Sequence, residues 1–71
     1  MKYMVVVEHG PTSVGAYVPD LPGCAAVGES EAEALDLIRE AIELHLEALQ
    51  AQGQQPPVPS SSSVFIEVAA A

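Results

Sequence analysis

Positive charge is what this chain has least of. Lys2 and Arg39 stand against ten acidic residues, and the formal net charge is −8. Binding to nucleic acid rests largely on Lys and Arg side chains that displace counterions from phosphates. The composition therefore argues against direct contact with DNA or RNA. A basic protein partner fits it better, although acidity that serves only solubility is the alternative reading.

Cysteine and long apolar runs are also scarce. The single cysteine, Cys24, excludes an internal disulfide and is compatible with a reducing compartment. The apolar run after Met1 meets Glu8 before it reaches the length of a signal peptide, and no run approaches the length that spans a membrane. These features predict a cytoplasmic protein that does not associate with membranes.

The chain is short, with 71 residues that form one expected domain, 1–71. A chain of this size buries only about 60% of the surface that its unfolded form exposes, so its stability should be marginal. Neither disulfides nor a recognised metal-ligand spacing can add to that stability. Self-association into a homodimer or a higher homo-oligomer is therefore the favoured source.

Residues 17–24 are the stretch around which the chain is organised. Pro19 and Pro22 fix the backbone φ angle, and Gly23 can supply the positive φ of a tight reversal. Such a segment is too constrained for a linker and too interrupted for a helix. We interpret it as a rigid corner between two strands, with Asp20 and Leu21 at its exposed tip.

The remaining pattern predicts an α+β domain of order β-β-β-α-β. Residues 1–28 read as an antiparallel meander whose first strand, at residues 3–7, is apolar on both faces and hence central. A helix over 30–52 follows, with Ser30 as N-cap and Glu33 completing a capping box. A Pro- and Ser-rich linker over 54–63 leads to a last strand at 64–68. A right-handed crossover places that strand beside the first, in the spatial order 3-2-1-4, with the helix across one face.

The predicted helix has more apolar surface than one small sheet can cover. Its apolar arc spans roughly 200°, whereas a helix on a sheet needs little more than 100°. Leu37 and Leu44 lie beyond the stripe that faces the sheet, beside Ala41 and Ala48. Either a loop or a second subunit must cover them, and the short chain favours self-association through these four residues.

The sequence offers no convincing reactive centre. Cys24 with His9 or His45 is a weak candidate for a nucleophile and base, and these three show no recognised metal-ligand spacing. The acids of the helix are better explained as a solvated face: Asp36, Glu40, Glu43 and Glu47. We therefore predict no catalytic residue, no metal and no cofactor.

Several motifs, taken in order along the chain, resemble the HicB-like antitoxin family. They are the run Gly15–Cys24, then Gly28-Glu29-Ser30, Glu33-Ala34, Ala41-Ile42, His45-Leu46, Gly53 and Pro56. The resemblance implies a partial ribonuclease H-like fold. It also implies a role in neutralising a HicA-like toxin, a small basic protein that cleaves mRNA, by binding it and covering its active site.

The resemblance does not imply nuclease activity, because the predicted first strand carries an acid only at its end, Glu8. Many relatives have a C-terminal DNA-binding segment, and no basic region of that kind is present here. For contact with a partner we select Tyr17, Asp20 and Leu21, with core packing as the alternative for Tyr17 and Leu21. The alternative function is a stand-alone oligomeric module that has no toxin and binds an unknown ligand.

Overall fold

Three short strands and one long helix form the regular structure of this protein. A computed structural model describes residues 1–70. Its elements are β1 (Val6–His9), β2 (Val14–Tyr17), β3 (Ala25–Gly28) and α1 (Glu31–Ala51). The strands pair antiparallel in the order β1-β2-β3. The predicted α+β class, with an antiparallel meander and one helix, is confirmed.

The middle strand of the sheet is β2, not β1. Val7 and Ala26 flank Ala16, while Val6 and Ala25 flank Tyr17. Because side chains alternate between the two faces of a strand, Ala16 points towards the helix and Tyr17 away from it. The expectation that the first strand is central is wrong. Its apolar residues meet a neighbouring strand on one side only.

The helix begins where its capping residues predict. The Glu33 backbone N–H donates to Ser30 Oγ at 3.1 Å, as in a capping box. The Glu33 carboxylate accepts from the backbone N–H of Glu29 at 3.0 Å, one residue earlier than in the usual box. The helix ends at Ala51, and Gly53 follows with a φ of 74°, in the left-handed region that favours glycine.

The core lies between the sheet and α1. The helix packs mainly against β3 and β2, which leaves the β1 side of the sheet less covered. A small set of apolar side chains is buried, drawn from β2, the corner and the helix: Val14, Ala16, Val18, Leu21, Cys24, Ala34 and Ile38.

No fourth strand is formed in the part of the chain that the structure describes. The sheet has three strands, and residues 64–68 pair with none of them. Val64, Phe65, Ile66 and Val68 are instead largely exposed, with Phe65 fully so. The expected order 3-2-1-4 thus lacks its fourth member here. The outer edge of β1, where that strand was expected, has no strand beside it within residues 1–70.

Candidate functional site

The corner between β2 and β3 is rigid, as its prolines predict, but it folds inward. The backbone N–H of Leu21 donates to the Val18 carbonyl at 3.1 Å, and that of Cys24 donates to the Leu21 carbonyl at 3.0 Å. Gly23 adopts a φ of 83°, which closes the reversal. Leu21 is completely buried, so its predicted place at an exposed tip is wrong. Core packing, the alternative for Leu21, is what the structure shows.

Asp20 lies at the corner and holds the segment that follows the helix. Its carboxylate accepts from the backbone N–H groups of Ser60 and Ser61 at 3.0 and 2.9 Å. It also accepts from the two hydroxyl groups, at 3.2 Å for Ser60 and 2.7 Å for Ser61. We call this set of contacts the Asp20 clamp. The side chain is thus committed within the chain, and the clamp fixes where residues 62–70 leave the domain.

The clamp should open in acid. Hydrogen bonds from the backbone N–H and hydroxyl of Ser61, then from Ser60, lower the pKa of Asp20 from 3.8 to about 2. A carboxyl group whose pKa is lower in the bonded state favours that state above pH 3.8 and loses its contribution as the pH falls towards 2. We expect the amide chemical shifts of Ser60 and Ser61 to titrate in this window.

An Asp20→Asn variant is the control for that titration. Its amide group has one acceptor oxygen in place of two, so the Ser60 and Ser61 amide protons should resemble the released state already at neutral pH. The serine shifts of this variant should not change across the acidic window. A native-like titration in Asp20→Asn would show that another group holds the segment.

Tyr17 lies on the open face of the sheet, opposite the helix. It is 41% exposed, and Val27, on the neighbouring strand, is 65% exposed. Val6 and Ala25 flank Tyr17, and Glu8 flanks Gly15 on the same face. We call this surface the outer sheet face: Val6, Glu8, Gly15, Tyr17, Ala25 and Val27. Sequence reasoning selected Tyr17 but missed Val27. Side chains alternate between the two faces of β3, so Val27 lies on the face opposite the buried Gly28, and this alternation is the signal that could have revealed it.

The four residues selected for self-association occupy one flank of α1. Leu44 is 65% exposed and Leu37 is exposed to a lesser degree, while Ala41 is only partly exposed. We call this flank the leucine ridge: Leu37, Ala41, Leu44 and Ala48. Spacing on the helix predicted the exposed flank, but nothing in the described chain covers it.

Most acids of the helix lie on a different surface from the two basic residues, and of these acids Glu43 shares a groove with them. The acidic face, formed by Asp36, Glu40, Glu43 and Glu47, is exposed along the side of α1 that points away from the sheet. Tyr17 is on the other side of the molecule, so the structure does not bring it together with this face. Lys2 and Arg39, however, both line one open groove between the start of the chain and α1.

The candidates for chemistry stay apart. Cys24 is buried, and desolvation raises the pKa of its thiol, which opposes formation of the nucleophilic thiolate. His9 Nε2 lies 3.0 Å from Glu31 Oε1 at the exposed start of the helix. Within residues 1–70, no three His, Cys, Asp or Glu side chains are grouped so that they could hold a metal ion.

The helix α1 also fails the criteria for a membrane span. Over residues 1–70, no helix combines the length and the apolar character needed to cross a bilayer.

Comparison of the sequence with known proteins identifies its family. A UPF0150 protein of Thermoplasma acidophilum is 35% identical over 69 residues, which cover 93% of this chain and 97% of that protein. A UPF0150 protein of Helicobacter pylori is 48% identical over 51 residues, covering 72% of this chain and 71% of that protein. Residues 3–69 match the family described as the HicB-like antitoxin of bacterial toxin-antitoxin systems, so this chain belongs to the HicB-like antitoxin family.

Proposed function

We propose that this protein is an antitoxin that binds and neutralises a small, basic, HicA-like mRNA-cleaving toxin in the cytoplasm. Membership of the family supports the antitoxin role. The net charge of −8 suits a basic partner, because complementary potentials accelerate encounter and disfavour wrong partners. The outer sheet face supplies the contact surface of this proposal.

The observation that carries the proposal is that Tyr17 and Val27 are both exposed on that face. A tyrosine with a half-exposed ring is the kind of residue that dominates binding energy at protein interfaces. Glu8 lies on the same face and can meet a basic side chain of the toxin. Asp20 and Leu21 contribute indirectly, since one holds the chain that follows the helix and the other fixes the corner from which Tyr17 projects.

The proposal includes the absence of catalysis by this chain, on a partial ribonuclease H-like scaffold. Cleavage of a phosphodiester by two metals needs several carboxylates around one site. On the outer sheet face Glu8 is the one acid of the strands, and most acids of the helix point away from the sheet. Incubation with an RNA–DNA hybrid and Mg²⁺ or Mn²⁺ should leave the hybrid intact. Cleavage that Glu8→Ala abolishes would contradict this part of the proposal.

The binding experiment uses the full chain and a HicA-like toxin encoded beside its gene. We expect a complex that weakens with salt and a toxin whose mRNA cleavage is blocked. Tyr17→Ala should weaken binding about tenfold or more, the usual cost of removing a central interface tyrosine. Val58→Ala is the matched control, because Val58 is also exposed but lies in the connector, away from the outer sheet face.

Two results would contradict the proposal. Equal loss of binding in Tyr17→Ala and Val58→Ala would show that the contact with the toxin is not centred on the outer sheet face. A chain that leaves toxin cleavage unchanged, and that captures only copies of itself from its host at low and moderate salt, would favour the stand-alone oligomeric module.

A further inference from the structure

The C-terminal segment is unusual for an exposed stretch of chain. Four of its five residues are large and apolar, and Val64, Ile66 and Val68 would share one face of a strand. All four apolar side chains are at least three-quarters exposed. β-branched and aromatic residues of this kind are typical of a strand that is partly buried. The segment therefore has the composition of a strand that lacks its neighbour.

The domain also has a strand edge that lacks a neighbour. The outer edge of β1 has no strand beside it within the described residues. Next to this edge is an open groove of about 650 Å³ whose apolar walls include Val5, Leu35, Ile38 and Ile42. Its volume falls within the range of about 300–1,000 Å³ that is usual for sites that enclose a ligand. An unpaired edge beside an apolar groove is the arrangement that accepts an added strand.

The chain's own segment does not pair with the β1 edge in the described structure. The connector first passes the start of the chain, where the Tyr3 hydroxyl donates to the Pro57 carbonyl. It then reaches the Asp20 clamp, at the corner that joins β2 to β3. From Ser61 to Val64 an extended chain spans about 10 Å. At the normal strand spacing, a fourth strand beyond β1 would lie about 12 Å from the middle of that corner, which is slightly beyond this reach.

The shape of the whole chain agrees with an outward path. Its radius of gyration is 14.3 Å. A compact domain of this length has a radius of gyration of about 11 Å. The chain is therefore more extended than a compact domain, and the apolar side chains of residues 64–68 are accessible to a second molecule.

We propose that residues 64–68 of one copy dock as a fourth strand on the β1 edge of a second copy. Val64, Ile66 and Val68 enter the groove between the start of the chain and α1, next to β1, and the exchange is reciprocal. A two-fold arrangement closes the assembly at a dimer and leaves neither β1 edge open. This inference concerns a surface other than the outer sheet face and does not require a toxin.

Charge favours this occupant over a basic protein. Lys2 and Arg39, the only Lys and Arg of the chain, both line the groove, together with one acid, Glu43. The one charged residue of the incoming segment is acidic, Glu67. The side chains that line the groove thus carry two positive charges and one negative charge, a balance that favours an acidic segment over a basic toxin.

The test compares two charge-matched variants of the full chain by light scattering during size exclusion. The unaltered protein should have twice the 7.4 kDa mass of one chain. Ile66→Asp should weaken the dimer about tenfold or more, because burial of an isoleucine is worth more than a tenfold change in affinity. Ser62→Asp adds the same charge outside the strand and should remain dimeric. Both variants should keep the helical signal, since residues 62 and 66 lie outside the buried core.

An isotope-filtered nuclear Overhauser experiment then locates the segment. In a mixture of labelled and unlabelled chains, we expect contacts between the methyl groups of Ile66 and Ile42 from different copies. The proposal is overturned by a monomeric protein, or by contacts only within one copy. It is equally overturned by a dimer that survives Ile66→Asp but is lost in Leu44→Asp, which would assign self-association to the leucine ridge instead.

Discussion

Leu21→Ala should remove a large part of the stability of this domain. Leu21 is the largest side chain that is fully buried in the described chain, with no exposed surface. Truncating a buried leucine to alanine typically costs about 2–5 kcal/mol, since apolar burial is lost and a cavity remains. A domain of 71 residues has a total unfolding free energy of only about 4–11 kcal/mol. Urea denaturation followed by the circular dichroism of α1 measures the loss.

Leu44→Ala is the matched control, because the same atoms are removed from a side chain that is 65% exposed. Its cost in dilute solution should stay within about 0.5 kcal/mol, as is usual for surface substitutions. A cost that appears only at high protein concentration comes from contact between copies at the leucine ridge. If Leu21→Ala proves as mild as the control, the corner is not part of the cooperatively folded core.

Gly28→Ala should have the second large effect. A Cβ atom on Gly28 would lie 2.7 Å from the backbone nitrogen of Ala34 and 3.1 Å from its Cα atom. Both residues are buried where the end of β3 meets the first turn of α1. The helix must therefore shift as a unit, because backbone atoms cannot rotate out of the way as a long side chain can. Overpacking of this kind costs about 1–3 kcal/mol in the free energy of unfolding.

Gly15→Ala provides the comparison for that substitution. Gly15 is in the middle of β2, and an added Cβ would come no closer than 4.0 Å to the carbonyl oxygens of Ala26 and Glu8. Alanine there removes the entropic disadvantage of glycine, so stability should be unchanged or should rise by about 0.5–1 kcal/mol. Equal destabilisation by both substitutions would show that strand flexibility, and not the close approach of helix and sheet, is the cause.

Gly28 and Leu21 fix how the helix lies on the sheet. Gly28 allows α1 to lie directly against β3, and Leu21 anchors the corner that leads out of β2. Together they hold the helix on one face of the sheet and leave Tyr17 on the other. A variant that disturbs either one should therefore lose the proposed toxin binding through loss of the fold, which is why Tyr17→Ala, at a half-exposed residue, is the cleaner test of the proposed interface.

Local sequence patterns predicted much of the fold. Ser30 and Glu33 mark the start of α1, and the alternation around Ala16 and Tyr17 assigns the two faces of β2. These are effects between residues a few positions apart, so they can be read without knowledge of the fold. The motif around the corner was specific enough to indicate the family, which the comparisons confirm.

The same reasoning could not predict which side chains are buried at the corner. Proline and glycine constrain the backbone between residues 17 and 24, but they do not decide on which side of it a side chain lies. Leu21 is buried because it packs in one cluster with side chains of β2 and α1. The Asp20 carboxylate accepts hydrogen bonds because the connector, about forty positions later in the chain, passes beside it. Both outcomes depend on contacts between distant parts of the sequence.

The sequence by itself determined the class of the protein, the extent of its helix, its acidity and its family. Tertiary structure alone decided that β1 is an edge strand, that Lys2 and Arg39 share one groove, and that residues 64–68 find no neighbour in the described sheet. The physical reason is one of range. Capping, alternation and charge are properties of neighbouring residues, whereas edges, grooves and clamps exist only once distant segments have packed together.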